Sequence, residues 1–253
     1  ACSHGNTDPV KLLLENGASI GLQNRYNWTP LHMASSNDNA DIAKLLLENG
    51  AAIDLKTKGS WTPLYLASYG NINIVKLFLG KGLSVNSVHQ PSGRSVLSYA
   101  ATKGDTNLIR YLLQAGADVN SRDNLSRTPL FYATMYGNLE TLDLLLSEAK
   151  FSINSRDYYG STLLSIATCH NHTGLVAHLL SFAEIEINTE DNYGRTTLSW
   201  STTPSIRDLF AESAAKRGIL LHSVDGSTHL YSPQDMELGF CDGVLPSAKI
   251  VIN

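Results

Sequence analysis

Short apolar runs separated by polar, glycine- and asparagine-rich segments recur along the chain. Each cycle begins with a hydroxyl residue and a short apolar run, as in "WTPLHMASS", and continues through a polar break into a leucine-rich run such as "IAKLLLENGA". Apolar residues three and four apart in the second run predict an amphipathic helix. A hydroxyl residue followed by proline predicts the start of a shorter helix in the first run. The pattern therefore predicts a helix pair in every cycle.

The cycles have a nearly constant length, which indicates a repeat protein. The opening hydroxyl residues are spaced 33, 33, 33, 34 and 34 residues apart, and they are Thr29, Thr62, Ser95, Thr128, Thr162 and Thr196. One helix pair cannot bury both faces of its apolar surface, so the units are expected to stack on one another. The glycines Gly50, Gly82 and Gly116 are predicted to close second helices. The polar links between units are typical of hairpin-like turns.

The phrases "TPLHMA" and "LLLENGA", at a period of 33, resemble the ankyrin repeat. The resemblance implies an all-α solenoid of stacked helix pairs, with β-hairpin fingers beside a concave surface made by the first helices. The units are also similar to fungal-type ankyrin arrays, which form the sensing end of larger NOD-like receptor proteins. The histidine of the family motif is present only at His32, the second unit lacks one residue after Ala67, and the fourth has "EAKFS" where a closing glycine is expected.

The repeat register divides the chain into an array at 1–218 and an irregular tail at 219–253. The array is predicted to contain a partial first unit at 1–23, complete units that begin near residues 24, 57, 90, 123 and 157, and a degenerate capping unit from about 191. Counting back one period from Thr29 places Ala1 inside a unit. We therefore expect a fragment of a longer protein, whose upstream domains are one possible partner.

Composition and charge narrow the classes of function. The net charge of −4 and the lack of a long run of like charge argue against nucleic-acid binding. No apolar run approaches the length of a membrane span. Three widely spaced cysteines, Cys2, Cys169 and Cys241, argue against a disulfide framework and for a reducing compartment. We expect a cytoplasmic protein, with the nucleus as the alternative.

The stretch "ATCHNHTG" contains Cys169, His170 and His172, residue types that occur in metal sites and in Cys-His nucleophiles. In the repeat register, His172 takes the place of Asp105 and Asn138, so it belongs to the turn between two helices. Three near neighbours cannot all face one ion, and no second cluster completes a ligand set. Catalytic motifs are also absent from the sequence. We expect no cofactor, no metal and no enzymatic activity.

Ankyrin repeats bind partners with the finger tips and the ends of the first helices, so the resemblance implies a set of contact positions. The set is Arg25, Tyr26, Trp28, Lys58, Trp61, Tyr69, Arg94, Lys103, Leu125, Arg127, Met135, Tyr136, Tyr158, Tyr159, His170, Tyr193 and Arg195. All of its charged members are basic, although the chain is acidic overall. Tyr, Trp and Arg are also the side chains that dominate interface energetics. This predicts a non-catalytic module whose concave face binds a protein or peptide partner, with an acidic partner favoured.

Three alternatives remain open from the sequence. The tip aromatics could instead pack along neighbouring fingers, with the arginines paired to Asp123, Asp157 and Asp191 at the finger bases. The concave groove could hold an enzyme or small-molecule site, with His170, Asp157 or the tyrosines as its polar groups. The concave face could also pack against upstream domains of the same chain.

Overall fold

The computed structural model describes residues 5–148 and 152–221, which form a stack of helix pairs. In chain order the helices of these ranges are α1 (Thr7–Glu15), α2 (Pro30–Ser36), α3 (Ala40–Glu48), α4 (Pro63–Ala67), α5 (Ile72–Gly80), α6 (Val96–Lys103), α7 (Thr106–Gln114), α8 (Pro129–Met135), α9 (Leu139–Glu148), α10 (Leu163–Cys169), α11 (Thr173–Ser181), a 3₁₀ turn (Thr197–Trp200) and α12 (Pro204–Arg217). The helices with even numbers from α2 to α10 are the first helices of their units, and the others are the second helices. The predicted all-α solenoid is confirmed.

Hydroxyl residues begin the first helices, as the pattern predicts. The Thr29 side chain accepts a hydrogen bond from the backbone N–H of His32, and the His32 ring binds the Thr29 N–H in return. Thr162 caps α10 in the same way. Thr62 and Thr128 occupy the same position without a side-chain cap bond. Extended backbone at these residues, followed by a proline or an apolar run, is sufficient to start each short helix.

The second helices end in left-handed turns. Gly50, Gly82 and Gly116 follow the last helical turn with φ of 89°, 92° and 87°, where a side chain would be strained. After the Gly50 turn, the backbone N–H of Ala51 donates a hydrogen bond of 2.9 Å to the Leu46 carbonyl oxygen. The closing turn of the fourth unit, predicted to differ, falls on 149–151, outside the described residues.

An arginine from α12 closes the fifth unit, which has no glycine after its second helix. The Arg217 guanidinium donates to the backbone carbonyls of Leu180 at 2.6 Å, Phe182 at 2.8 Å and Ile185 at 3.1 Å. It also lies 3.4 Å from the Ala183 carbonyl oxygen. These carbonyls lie at and beyond the end of α11, where a helix leaves acceptors unpaired. Arg217 therefore joins the last described helix to the unit before it.

Small residues at one repeated position let the first helices pack closely. Ala34, Ala67, Ala100, Ala133 and Ala167 are spaced 33, 33, 33 and 34 apart, and all are fully buried. The second helices contribute larger side chains, such as Leu46 and Phe78, to the same continuous core. Burying one such side chain stabilises the fold by about 1.5–3 kcal/mol. Since these contacts lie between neighbours, each unit depends on the next for its stability.

The second unit lacks one residue, which shortens its first helix, and the following finger contains one extra residue. Helix α4 has five residues, whereas α2 has seven. The turn that follows is closed by a hydrogen bond from the His89 N–H to the Arg94 carbonyl, and it contains one residue more than the equivalent turn from Thr57 to Trp61. The period of 33 is preserved because the gain offsets the loss.

The fingers are tight turns rather than strand ladders. Within the described ranges the only β-pairing is three isolated bridges, which join Val88 to Ser95, Arg156 to Thr162, and Glu190 to Thr196. The β-hairpin fingers are thus reduced to turns, three of which carry one bridge. None of the described helices has the length and apolar character that a membrane span requires.

The chain follows the repeat path slightly beyond the predicted end of the array. The side-chain amide of Asn188 donates to the Leu220 carbonyl at 2.8 Å. Asn86 donates to the Gly116 carbonyl and Asn154 to the Glu184 carbonyl in the same way, each bond spanning 30 residues. The predicted tail at 219–253 lies, from residue 222 onward, outside the described residues.

Candidate functional site

The finger tips are shaped by the first side chain of each turn. Asp123 Oδ1 accepts hydrogen bonds from the backbone N–H groups of Leu125 and Arg127, both at 2.8 Å. Asp157 and Asp191 hold the next two turns in the same way. Asn24 does so in the first finger. This arrangement is typical of turns in which a short polar side chain replaces a backbone partner.

Backbone hydrogen bonds also join four of the five pairs of neighbouring fingers. The N–H groups of one turn donate to carbonyls of the preceding turn in four places, which are Lys58 to Tyr26, Asn124 to Ser92, Tyr158 to Leu125, and Asn192 to Tyr159, at 2.8–3.0 Å. The tips are therefore held in one row. Side chains on this row keep fixed spacings from one unit to the next.

Seven of the predicted contact residues are exposed on this row and on the adjacent helix ends. They are Arg25, Tyr26, Lys58, Lys103, Tyr136, Tyr158 and Tyr193. Tyr136 is 51% exposed, Tyr158 64% and Tyr193 66%, which is unusually high for aromatic side chains. A further seven are half-buried, and they are Trp28, Trp61, Tyr69, Leu125, Tyr159, His170 and Arg195.

Three predicted contact residues lie inside the array, and the prediction needs correcting for them. Arg94 is 3% exposed, Arg127 2% and Met135 6%. Arg127 Nε lies 3.1 Å from Asp157 Oδ2 in the next finger, with both side chains buried. These three side chains support the surface from below, since so little of their own area faces outward.

The last finger contains a similar arginine that stays partly exposed. Arg195 Nε lies 2.6 Å from Asp191 Oδ2, and its guanidinium lies 4.7 Å from the Tyr193 ring and 4.3 Å from the Trp200 ring. Trp200, in the 3₁₀ turn, was missed by the sequence reasoning, although "RTTLSW" placed it in register. Pairing between finger arginines and finger aspartates, one of the alternatives left open, therefore occurs at both Arg127 and Arg195.

Aromatic rings of the second and third units pack on one another. The Trp61 ring stacks on His89, with centroids 4.5 Å apart, and meets the edge of Tyr99 at 5.4 Å. Tyr69 and Tyr65 also contact Tyr99, at 5.4 and 5.8 Å. The alternative that tip aromatics pack along neighbouring units therefore applies to Trp61 and Tyr69. His89 and Tyr99 escaped the sequence reasoning because they occupy positions that vary from unit to unit.

A comparison with protein families agrees with this architecture. A family model described as ankyrin repeats (3 copies) matches residues 1–89 and 78–157, which is more than half of the chain. The chain belongs to the ankyrin repeat family. Ankyrin repeats are generally protein–protein interaction modules, and the family is generally non-catalytic. A search of curated proteins found no match.

In this ankyrin array, "ATCHNHTG" is the end of α10 and the turn that follows. His172 Nε2 lies 2.9 Å from the Met135 carbonyl oxygen of the preceding repeat, and its ring stacks on His170 at 6.0 Å. Cys169 is buried, and burial raises the pKa of its thiol to about 11. Burial also lowers the pKa of His170, whose Nδ1 lies 3.0 Å from the Ile166 carbonyl oxygen. A protonated, enclosed thiol is a poor nucleophile.

Potential ligand pockets of the ankyrin array include few of the predicted contact residues. Four open clefts of 250–630 Å³ occur on the described surface. Among the predicted contact residues, only Trp28 lines one of them, a cleft of about 430 Å³ near α1. Across residues 5–148 and 152–221, no group of three His, Cys, Asp or Glu residues is arranged to hold a metal ion. These clefts give no support to a small-molecule site in the concave groove.

Proposed function

We propose that this ankyrin array binds a protein or peptide partner on the row of finger tips and first-helix ends. We call this surface the contact strip, defined by Arg25, Tyr26, Lys58, Lys103, Tyr136, Tyr158, Tyr159 and Tyr193. The observation that supports it best is the high exposure of Tyr136, at a first-helix end, and of Tyr158 and Tyr193, at two finger tips. Tyrosine side chains bury a large area at a low cost in conformational entropy, so they are effective interface anchors.

The charges of the contact strip favour an acidic partner. The carboxylates at the bases of its last three fingers are already engaged, because Asp123, Asp157 and Asp191 each bind backbone N–H groups and a hydroxyl or guanidinium group. Lys58 and Lys103 are exposed and form no ion pair with any described residue. Positive side chains of this kind increase the rate at which a negative partner associates.

The construction of the fingers also favours binding. Four of the turns are held by their own first side chain, which is an asparagine or an aspartate, and backbone hydrogen bonds join four of the five pairs of neighbouring fingers. A surface that is already ordered loses little conformational entropy when a partner docks. No moving element is needed for the proposed interaction.

The proposal is tested by selecting random peptides on the full chain and measuring their affinities. Replacing Tyr136, Tyr158 and Tyr193 together by Ala should lower the affinity for the selected peptides by at least about 30-fold, since interface anchors contribute about 2 kcal/mol or more to the binding free energy. The matched control is Leu22→Ala with Leu220→Ala, because these side chains are 71% and 88% exposed but lie at the ends of the array. Equal affinities for the tyrosine variant and the wild type would refute the proposal.

A further inference from the structure

Arg94 is a buried cation that lacks the carboxylate its neighbour has. Arg94 and Arg127 end successive fingers and are 33 residues apart. Arg127 pairs with Asp157, and the residue one unit before Asp157 is Asp123. Asp123, however, is occupied by the Tyr132 hydroxyl and by two backbone N–H groups. Among the described residues, no carboxylate lies at ion-pair distance from Arg94.

Aromatic rings hold Arg94 in place of a counter-ion. Its guanidinium lies 3.7 Å from the Tyr132 ring centroid and 4.2 Å from that of Tyr99. One terminal nitrogen donates to Thr102 Oγ1 at 2.6 Å, whereas Nε has no hydrogen-bond partner. Ring faces attract a cation, but they offset only part of the cost of removing it from water. A positive charge in a poorly solvated place therefore remains uncompensated.

The surface next to Arg94 offers donors to an anion. Tyr69 is half-buried, its ring centroid lies 5.4 Å from that of Tyr99, and the positive charge of Arg94 acts on its hydroxyl. A neutral tyrosine hydroxyl can donate a hydrogen bond to an anion. Burial raises the pKa of Tyr69 to about 12, which keeps that hydrogen in place.

Lys103 borders the same patch. It follows Thr102 in the chain and is exposed, and its Cγ lies 3.8 Å from the point where a side chain on Gly70 would begin. Asp105 Oδ2 lies 4.0 Å from that point, but Asp105 serves as the cap of α7 through its other oxygen. The patch therefore combines two donors, at Tyr69 and Lys103, with the positive charge of the buried Arg94.

We propose that an Asp or Glu side chain of the partner docks on this patch, which we call the carboxylate subsite: Tyr69 and Lys103 at the surface with Arg94 behind them. The inference rests on the proposed function, because the subsite shares Lys103 with the contact strip and names the chemistry that the partner presents there. A carboxylate accepts from the Tyr69 hydroxyl and the Lys103 ammonium and lies close to the Arg94 guanidinium. Low local polarity strengthens each of these interactions.

The subsite is tested by nuclear magnetic resonance on the ¹⁵N-labelled full chain. The probe is N-acetylglutamate N-methylamide, with the glutamine analogue as the neutral control at constant ionic strength. We expect the Arg94 Nε–H signal to shift in a saturable way with the carboxylate and to stay in place with the amide. The Arg127 Nε–H signal is an internal control, since that group is already paired with Asp157. Equal shifts for both arginines, or for both probes, would overturn the subsite.

Two conservative variants separate the subsite from nonspecific attraction. Tyr69→Phe removes one hydroxyl and keeps the ring, and Lys103→Gln removes one charge from an exposed side chain. Each variant should lower the affinity for the carboxylate probe at least threefold. Tyr111→Phe, a matched loss of a hydroxyl on α7, should leave the affinity unchanged, and an equal loss there would overturn the subsite.

The outcomes for the subsite and for the proposed function are distinguishable. If selected peptides depend on the exposed tyrosines but share no acidic position, and Arg94 does not respond to the probe, the subsite is wrong and the binding function stands. If Arg94 responds to the probe but no peptide depends on the tyrosines, the subsite stands and the binding function is wrong. Both the subsite and the binding function would be supported if the selected peptides share one Asp or Glu position and the Lys103→Gln variant loses the preference for that position.

Discussion

Removing the buried cation Arg127 should destabilise the array strongly. The Arg127 and Asp157 side chains are 2% and 0% exposed, and their ion pair joins the fourth finger to the fifth. In Arg127→Met the Asp157 carboxylate would remain buried without its counter-charge. Breaking a buried pair in this way typically costs about 3–5 kcal/mol. Asp157 keeps its two backbone N–H donors, so we expect the lower end of that range.

The measurement is urea unfolding followed by far-ultraviolet circular dichroism. With a slope of about 2 kcal/mol per molar urea, a loss of about 3 kcal/mol lowers the midpoint by about 1.5 M. The matched control is Arg195→Met, which breaks a pair whose arginine side chain is 27% exposed. Water reaches the arginine of this pair, although the Asp191 side chain is only 3% exposed, so we expect a smaller loss than for Arg127→Met. Similar midpoints for the two variants would refute the reasoning.

A double variant tests whether the uncompensated charge is the cause. Adding Asp157→Asn to Arg127→Met removes the stranded charge, while the asparagine oxygen can still accept from the finger N–H groups. Much of the lost stability should return, because replacing both members of a buried pair is far less costly than removing one. A double variant as unstable as Arg127→Met would show that lost packing, rather than charge burial, is responsible.

Two further predictions concern other parts of the array. Arg217→Ala should lower the local stability by about 2 kcal/mol, because the hydrogen bonds from the guanidinium to the carbonyls at the end of α11 are lost. Amide hydrogen exchange should accelerate in α11 and α12, whereas Lys216→Ala, which breaks only an exposed ion pair, should not change it. Unchanged exchange in Arg217→Ala would contradict the proposed role of Arg217. Cys169 should react slowly with iodoacetamide at pH 8 and about tenfold faster per pH unit up to about 11, because burial raises the pKa of its thiol and the thiolate is the reactive form. The label is assigned to Cys169 by peptide mass mapping, since Cys2 and Cys241 can also react. Rapid labelling of Cys169 itself in the folded chain at pH 8 would count against the burial of this thiol.

Much of the architecture was predictable from the sequence because its causes are local and repeated. The cap at Thr29 and the left-handed turn at Gly50 depend on residues within a few positions of each other. The period places equivalent residues in equivalent positions, which is why the buried alanines follow the same spacing. The register also assigned His172 to a turn, and its ring indeed contacts the preceding repeat at Met135.

The candidate site was less predictable, because exposure depends on what the neighbouring unit presents. Arg94, Arg127 and Arg195 all end fingers, and the sequence pattern predicts the same contact role for each. The structure buries Arg127 against Asp157, leaves Arg195 partly exposed beside Asp191, and buries Arg94 between rings. The sequence pattern of a single unit does not predict this difference in the burial and pairing of the three arginines.

The sequence by itself determined the repeat, its period, the positions of the helices and the residues that start and end them. Only the tertiary structure decided which side chains of the finger row face outward and which arginine keeps a counter-ion. The physical reason is that helix starts and turns are short-range effects, whereas the buried pair of Arg127 and Asp157 joins side chains 30 residues apart. Tyr132, by binding Asp123, leaves Arg94 as the buried cation without a carboxylate.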